Sequence, residues 1–140
     1  MLLEEFNKWR EQLEMDIDNV LETDVADTLT QHVLESVRQN VYDVYEPKEY
    51  VRRKQNGGLL DRENYHATAF DNVLALTNAT RDNGYSREQD REIVDVVESG
   101  KGYDWYSPGP RPFMEEALQK GITDGSLEES LYLGLKNRGY

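Results

Sequence analysis

The groups most able to do chemistry are few and scattered. His32 lies beside Glu35 in a stretch with helical spacing, His66 lies in a stretch with strand-like alternation, and the chain has no third histidine and no cysteine. Without thiolates a zinc site loses its commonest ligand, and no His-Glu-x-x-His pair or acidic calcium loop links the two imidazoles. Both histidines read as structural or surface residues. A covalent nucleophile would have to be a Ser or Thr, and none occupies a Gly-x-Ser-x-Gly turn. The run "SGKG" at 99–102 lacks the glycine, five positions ahead of its own Gly-Lys, that a phosphate-cradling loop needs. Asp16 and Asp18 are two apart on a helix, so their carboxylates diverge. These residues predict no catalytic group, no metal and no cofactor.

Two clusters are better suited to recognition. Arg52, Arg53 and Lys54 form the one concentrated basic run. It reads either as a solvated loop or as an arm that docks on an acidic neighbour, such as the first half of another copy. Tyr103, Trp105 and Tyr106 sit in a Gly- and Pro-rich stretch. They either pack that loop onto the core or act as interface anchors, since rigid aromatics dominate binding hot spots. The stretch ends in "GPRPF", where Pro110 and Pro112 restrict the backbone ahead of Phe113. So stiff an approach delivers Phe113 to its pocket, in the core or at an interface, with less entropy to lose.

The elements that position these groups follow from periodicity. Leu3, Phe6, Leu13, Ile17, Val20 and Leu21 recur at three- and four-residue steps and predict an amphipathic helix. "TDVAD" reads as a restart with Thr23 or Asp24 as N-cap, and the spacing resumes through Val25, Leu29, Val33, Val37, Val41 and Val44. The restart favours two helices over one long helix through Thr23. Pro47 closes the helical region. Residues 47–64 form a loop or extended arm in which Gly57 and Gly58 supply unusual backbone angles. In 65–80, Tyr65, Ala67 and Ala69 alternate with His66, Thr68 and Phe70, and Asp71–Asn72 is a plausible tight turn into a return strand. Ser86 with Gln89 resembles a capping box opening a helix to about Glu98. After the rigid stretch, Pro112 suits the first turn of a new helix, and Ser126 with Glu129 forms a second capping box. The prediction is one α+β domain over 1–140, with a long N-terminal helical region and C-terminal helices packed on a small antiparallel β-sheet. Its parts are helical 1–46, loop or arm 47–64, hairpin 65–80, and helix, rigid loop and C-terminal helices over 86–140.

Charge narrows the function classes. The net charge is −12, and residues 1–50 hold 13 acidic and 4 basic side chains, net −9. Such a field opposes binding to nucleic acid, which depends on neutralising phosphates. It suits a surface past which DNA must slide without sticking. The apolar runs are too short to span a membrane, and the acidic start lacks the features of a secretory signal, so synthesis in a cytoplasm is expected. Apolar residues make up 37% of the chain, below the globular average, as in a thin domain that completes its burial against partners or in a small, highly solvated monomer.

The segment "VVESGKGYDWYSPGPRPFMEEAL" resembles the signature of the tail-completion (neck, or head–tail joining) proteins of long-tailed bacteriophages. In that family a short apolar segment ends in Glu-x-Gly, here Glu98–Ser99–Gly100. A variable loop follows, and then Pro-Arg-Pro-Phe opens a helix, here Pro110, Arg111, Pro112 and Phe113. "NGGLLDRENY" is similar to a second family element, with Gly57 and Gly58 ahead of Leu59 and Leu60. The resemblance covers about residues 25–120. It implies a structural virion protein whose copies form a ring, commonly sixfold, between the head connector or stopper and the tail tube or terminator. It implies no catalysis, no cofactor, no specific nucleic-acid binding and no membrane. Arg52, Arg53, Lys54, Tyr103, Trp105, Tyr106, Arg111 and Phe113 are then the candidate assembly residues, in a protein of the virion neck assembled in the host cytoplasm. The rival reading is a small acidic mimic of DNA that occupies a nucleic-acid groove on a host or defence protein.

Overall fold

One apolar row organises the long N-terminal helix, and one inserted residue redirects it. The computed structural model describes residues 2–42, 54, 58–81, 93, 97–98 and 112–140, with the backbone alone at 41 and 42. Helix α1 (Leu2–Val20) runs into a π-helical turn (Leu21–Val25), then into α2 (Ala26–Val37), and then into a second π-helical turn (Arg38–Tyr42). The restart expected at Thr23 does not occur. Val25, which precedes α2, has helical angles and no side-chain cap. The Thr23 hydroxyl instead donates to the Asn19 carbonyl at 2.7 Å, a back-bond within a continuing helix. What changes is register. The Ala26 N–H reaches five residues back to the Leu21 carbonyl, and the wider turn rotates the row Leu29, Val33, Val37 away from that of α1. Pro47, expected to end this region, lies outside the described residues.

The hairpin follows the alternation seen in sequence. Strands β1 (Tyr65–Phe70) and β2 (Val73–Asn78) pair antiparallel, with Tyr65 opposite Asn78 and Phe70 opposite Val73. Asp71 and Asn72 both take positive φ, 53° and 62°, the two-residue turn whose twist matches the strands. Tyr65, Ala67, Ala69, Leu74 and Leu76 face inward, while His66, Thr68, Phe70 and Val73 face out. The acidic helix holds the hairpin tip. Glu22 accepts from the Ala69 N–H at 2.7 Å, and Asp18 accepts from the Asn72 N–H at 2.8 Å.

Helices α3 (Phe113–Thr123) and α4 (Ser126–Asn137) complete the α+β architecture. The core joins Leu29, Val33, Leu34 and Val37 of α2 to Leu59, Leu60, Val97, Phe113 and Ala117, with Tyr65, Leu74 and Leu76 of the hairpin packed against it. Helix α4 crosses the first π turn closely enough that a Cβ on Gly134 would run into the side chains of Val20 and Asp24. The capping box expected at Ser126 and Glu129 is replaced by another device. Gly125 precedes the helix, the Ser126 N–H donates to Asp124 at 2.9 Å, and the Glu129 N–H goes to the Gly125 carbonyl. The Asp124 carboxylate thus takes the N–H that a Glu129 side chain would have capped, and the Gly125 carbonyl takes the Glu129 N–H, which frees the Ser126 hydroxyl. Of the helix expected over 86–98, only residues 93, 97 and 98 are described, and the Val97 N–H donates to the Ile93 carbonyl at 3.0 Å with helical spacing.

Candidate functional site

The opening of α3 is built by a residue fifteen positions upstream. The first N–H groups of any helix lack intrahelical partners and carry partial positive charge. Here the Glu98 carboxylate takes two of them, the Met114 N–H at 3.1 Å and the Glu115 N–H at 3.0 Å. Pro112, immediately before the helix, has no N–H to satisfy. Phe113 then drops into the core at 0% exposure, in the cluster that also holds Val97. The two ends of the 99–111 segment are therefore clamped together by a bidentate hydrogen bond above a buried aromatic.

A second motif closes beside the first. Gly58 has no room for a side chain, because a Cβ would lie 2.6 Å from the Lys54 nitrogen and 2.7 Å from its carbonyl oxygen. The Lys54 carbonyl accepts from the Leu60 N–H at 3.1 Å, with Lys54 itself at φ 50°. The Gly58 carbonyl accepts from the Asp61 N–H and from the Asn64 side chain, both at 3.0 Å. The Tyr65 hydroxyl donates to the Leu59 carbonyl at 2.7 Å. This tight loop drives Leu59 and Leu60 into the same cluster as Phe113.

Two polar arrangements lie elsewhere. A cleft of about 350 Å³ opens between the first π turn and β1, lined by Glu22, Thr23, Asp27, Arg62, Tyr65 and His66 among others. Arg62 pairs there with Asp27. At the joint between α2 and the α3–α4 turn, His32 Nε2 shares a hydrogen bond of 2.7 Å with the Ser126 hydroxyl and lies 3.8 Å from Asp124. Ser126, through its hydroxyl and its N–H, holds the Asp124 carboxyl below its ordinary range, and His32 and Lys120 add to the effect. A serine hydrolase needs its acid on one ring nitrogen and its nucleophile on the other. Here both lie on Nε2, while Nδ1 is buried and has no partner among the described residues, so the geometry is that of a helix joint. Among the described residues no three acidic or imidazole groups could hold a metal ion, and no helix is long and apolar enough to cross a membrane.

Of the residues singled out in sequence, Gly58, Leu59, Leu60, Glu98, Pro112 and Phe113 converge on one core and its latch. Of the two places left open for Phe113, it takes the core rather than a surface. Lys54 is half-buried beneath Gly58. Arg52, Arg53, Gly57, Gly100, Tyr103, Trp105, Tyr106, Pro110 and Arg111 lie outside the described residues. Sequence reasoning missed the bare outer half of α1, where Leu2, Leu3, Phe6 and Trp9 are all more than half exposed, and the outward hairpin pair Phe70 and Val73. The signal was present: two large aromatics at a three-residue step in an otherwise acidic helix.

These features describe a small α+β domain with its described motif residues gathered in the core and several large apolar side chains exposed. The chain belongs to the YomN family, whose model matches residues 5–137. That family is phage-derived. No curated protein and no solved structure matches the chain.

Proposed function

We propose that this phage-associated chain is a structural component of the virion, a tail-completion or neck protein whose copies form a ring joining the head connector to the tail. The observation that carries the reading is the convergence of the motif elements. Glu98 and the Pro-Phe pair at 112–113 stand at opposite ends of a variable segment, yet they meet in one latch. Leu59 and Leu60 enter the same core. A segment held at both ends on a buried base is what a docking loop requires, because rigid presentation lowers the entropy lost on binding. Tyr103, Trp105, Tyr106 and Arg111 then meet the neighbouring subunit or the tail, and the basic run Arg52, Arg53, Lys54 meets an acidic neighbour. The net charge of −12 keeps DNA moving through the channel. The proposal involves no catalysed step, cofactor, membrane or specific nucleic-acid contact, and its ring is a hexamer assembled in the host cytoplasm.

The rival reading, a DNA-mimicking inhibitor, needs rows of unengaged carboxylates. Asp18 and Glu22 instead hold the hairpin, Asp27 pairs with Arg62, and Glu35 pairs with Lys120 at 3.5 Å. Labelling the protein in purified phage particles tests the proposal. Label at the head–tail junction is expected. Particles that lack the protein, or complete infectious particles from an amber allele, would overturn it.

A further inference from the structure

Helix α1 has two halves with one apolar row running through both. Leu2, Phe6, Trp9, Leu13, Ile17 and Val20 follow at steps of four, three, four, four and three residues, so they share a face. The lower half of that row is covered by the protein's own α4. Val20 is fully buried against the Gly134 side of α4, and the packing ends at Asp16, which accepts from the Tyr140 hydroxyl at 2.6 Å and lies 4.0 Å from Arg138. Further out the row loses its cover by degrees, and Leu13 is still half-buried. Leu2 is 81% exposed, Phe6 54% and Trp9 52%, and Leu3 beside them is 71% exposed. The Phe6 and Trp9 rings lie against each other, 5.9 Å apart at their centroids. A helical segment of this length gains little from propensity alone, and its apolar face is built to be covered.

Charge placement says by what. With a positions at Phe6 and Leu13 and d positions at Leu2 and Trp9, the acids Glu4, Glu11 and Glu14 fall on the side away from the row. Two charged residues flank it, Glu5 at g and Arg10 at e, and they are opposite in sign. In parallel helix pairs a g residue meets the e′ residue five positions further along the partner. Glu5 and Arg10 are five apart, so two copies side by side in the same direction bring each Glu5 against the other copy's Arg10. An antiparallel pair would set Glu5 against Glu5. Leu3 at another e position widens the row beyond a two-helix seam, as suits a helix with a neighbour on each side.

We infer that the outer half of α1 is a self-association surface on which copies of this chain pack as parallel helices, in register, through Leu2, Phe6 and Trp9 with Glu5–Arg10 pairs at the flanks. The inference deepens the ring reading and shares its premise that copies meet side by side. Helices that lie along the axis of a ring are parallel to one another, which is the orientation the charges select.

The absence of cysteine makes the test clean. A single Leu2→Cys variant sets like residue against like only in a parallel, in-register pair, whereas Glu11→Cys on the opposite side reports random collision. Under mild oxidation of the purified protein, Leu2→Cys is expected to form covalent dimers and Glu11→Cys to stay monomeric. Equal yields, or no cross-linking of Leu2→Cys at high concentration, would overturn the inference. Charge gives the second arm, with far-UV circular dichroism confirming that each variant is folded. Arg10→Glu alone is expected to weaken association roughly tenfold, since each helix takes part in two such contacts, one at each flank. Adding Glu5→Arg should restore it, and a double swap as weak as the single one would also overturn the inference. The outcomes separate the two readings. Protein that labels at the head–tail junction but fails to cross-link loses only the helix contact, and protein that cross-links but is missing from particles loses only the neck assignment.

Discussion

Phe113 and Phe6 stand near the starts of two helices, and the protein treats them in opposite ways. Phe113 is 0% exposed beneath a helix whose first N–H groups are held by Glu98. Phe6 is 54% exposed on a helix whose first turns carry mostly exposed side chains. The first phenylalanine belongs to the fold and fixes the base of the 99–111 segment. The second contributes almost nothing to the folded monomer, so its presence has to be explained by something outside it. In a chain with 37% apolar residues, placing several large ones where they stabilise no core is informative in itself.

The largest test of that contrast is to empty the buried position. Phe113→Ala removes an aromatic from the centre of the core and should destabilise the protein by about 3–5 kcal/mol, read as a lowered midpoint in urea unfolding. Wild-type stability in that variant would show that the latch is not founded on the core. Glu98→Ala should cost less, about 1 kcal/mol, because it removes one charged acceptor from two helix N–H groups and leaves the packing in place. The same titration measures it. A loss as large as that of Phe113→Ala would mean that the clamp, rather than the aromatic, holds the site together.

How much of this was legible in the sequence divides along the same line. The hairpin was readable because period-two alternation in "YHATAF" and a two-residue turn at Asp71–Asn72 are local signals with one physical solution. The motif residues Leu59, Leu60, Glu98 and Phe113 were readable as a set, but their meeting was not, since Glu98 acts across fifteen residues and no spacing rule encodes that. The π turn was misread as a restart. Thr23 and Asp24 have the chemistry of an N-cap, and the decision between capping and back-bonding was made by α4 packing at Gly134. Ser126 was misread for a similar reason, as Asp124 and His32 compete for the groups that a capping box would use. The free half of α1 is amphipathic by its pattern. Whether an amphipathic face is covered within the chain is a tertiary fact that the pattern does not contain.

A smaller effect distinguishes the α3–α4 joint from both regions. Because Asp124 titrates below its ordinary value in the folded protein, folding favours its ionised form. That contribution is complete above about pH 4, the usual aspartate range, and is lost as the pH falls through the folded-state value. Asp124→Asn should therefore shift the acid-unfolding midpoint little in absolute terms while flattening the dependence of stability on pH below about 4. A profile with unchanged slope would mean that the Ser126 hydrogen bonds contribute equally to both protonation states.

The smallest effect is the one on which the contrast finally rests. Phe6→Ala removes as many atoms as Phe113→Ala, but from a side chain already more than half exposed and lying against Trp9. Its cost to the monomer should fall within about 0.5 kcal/mol, the range of ordinary surface substitutions, in unfolding measured at a dilution where copies are separate. At high protein concentration the same variant should lose stability relative to wild type, because association adds to the apparent stability of whatever associates. A concentration-independent cost of several kcal/mol would place Phe6 in a core of its own chain. A cost near zero at every concentration would leave the exposed row without a function in self-assembly. Only a cost that grows with concentration fits a helix whose packing partner is another copy of itself.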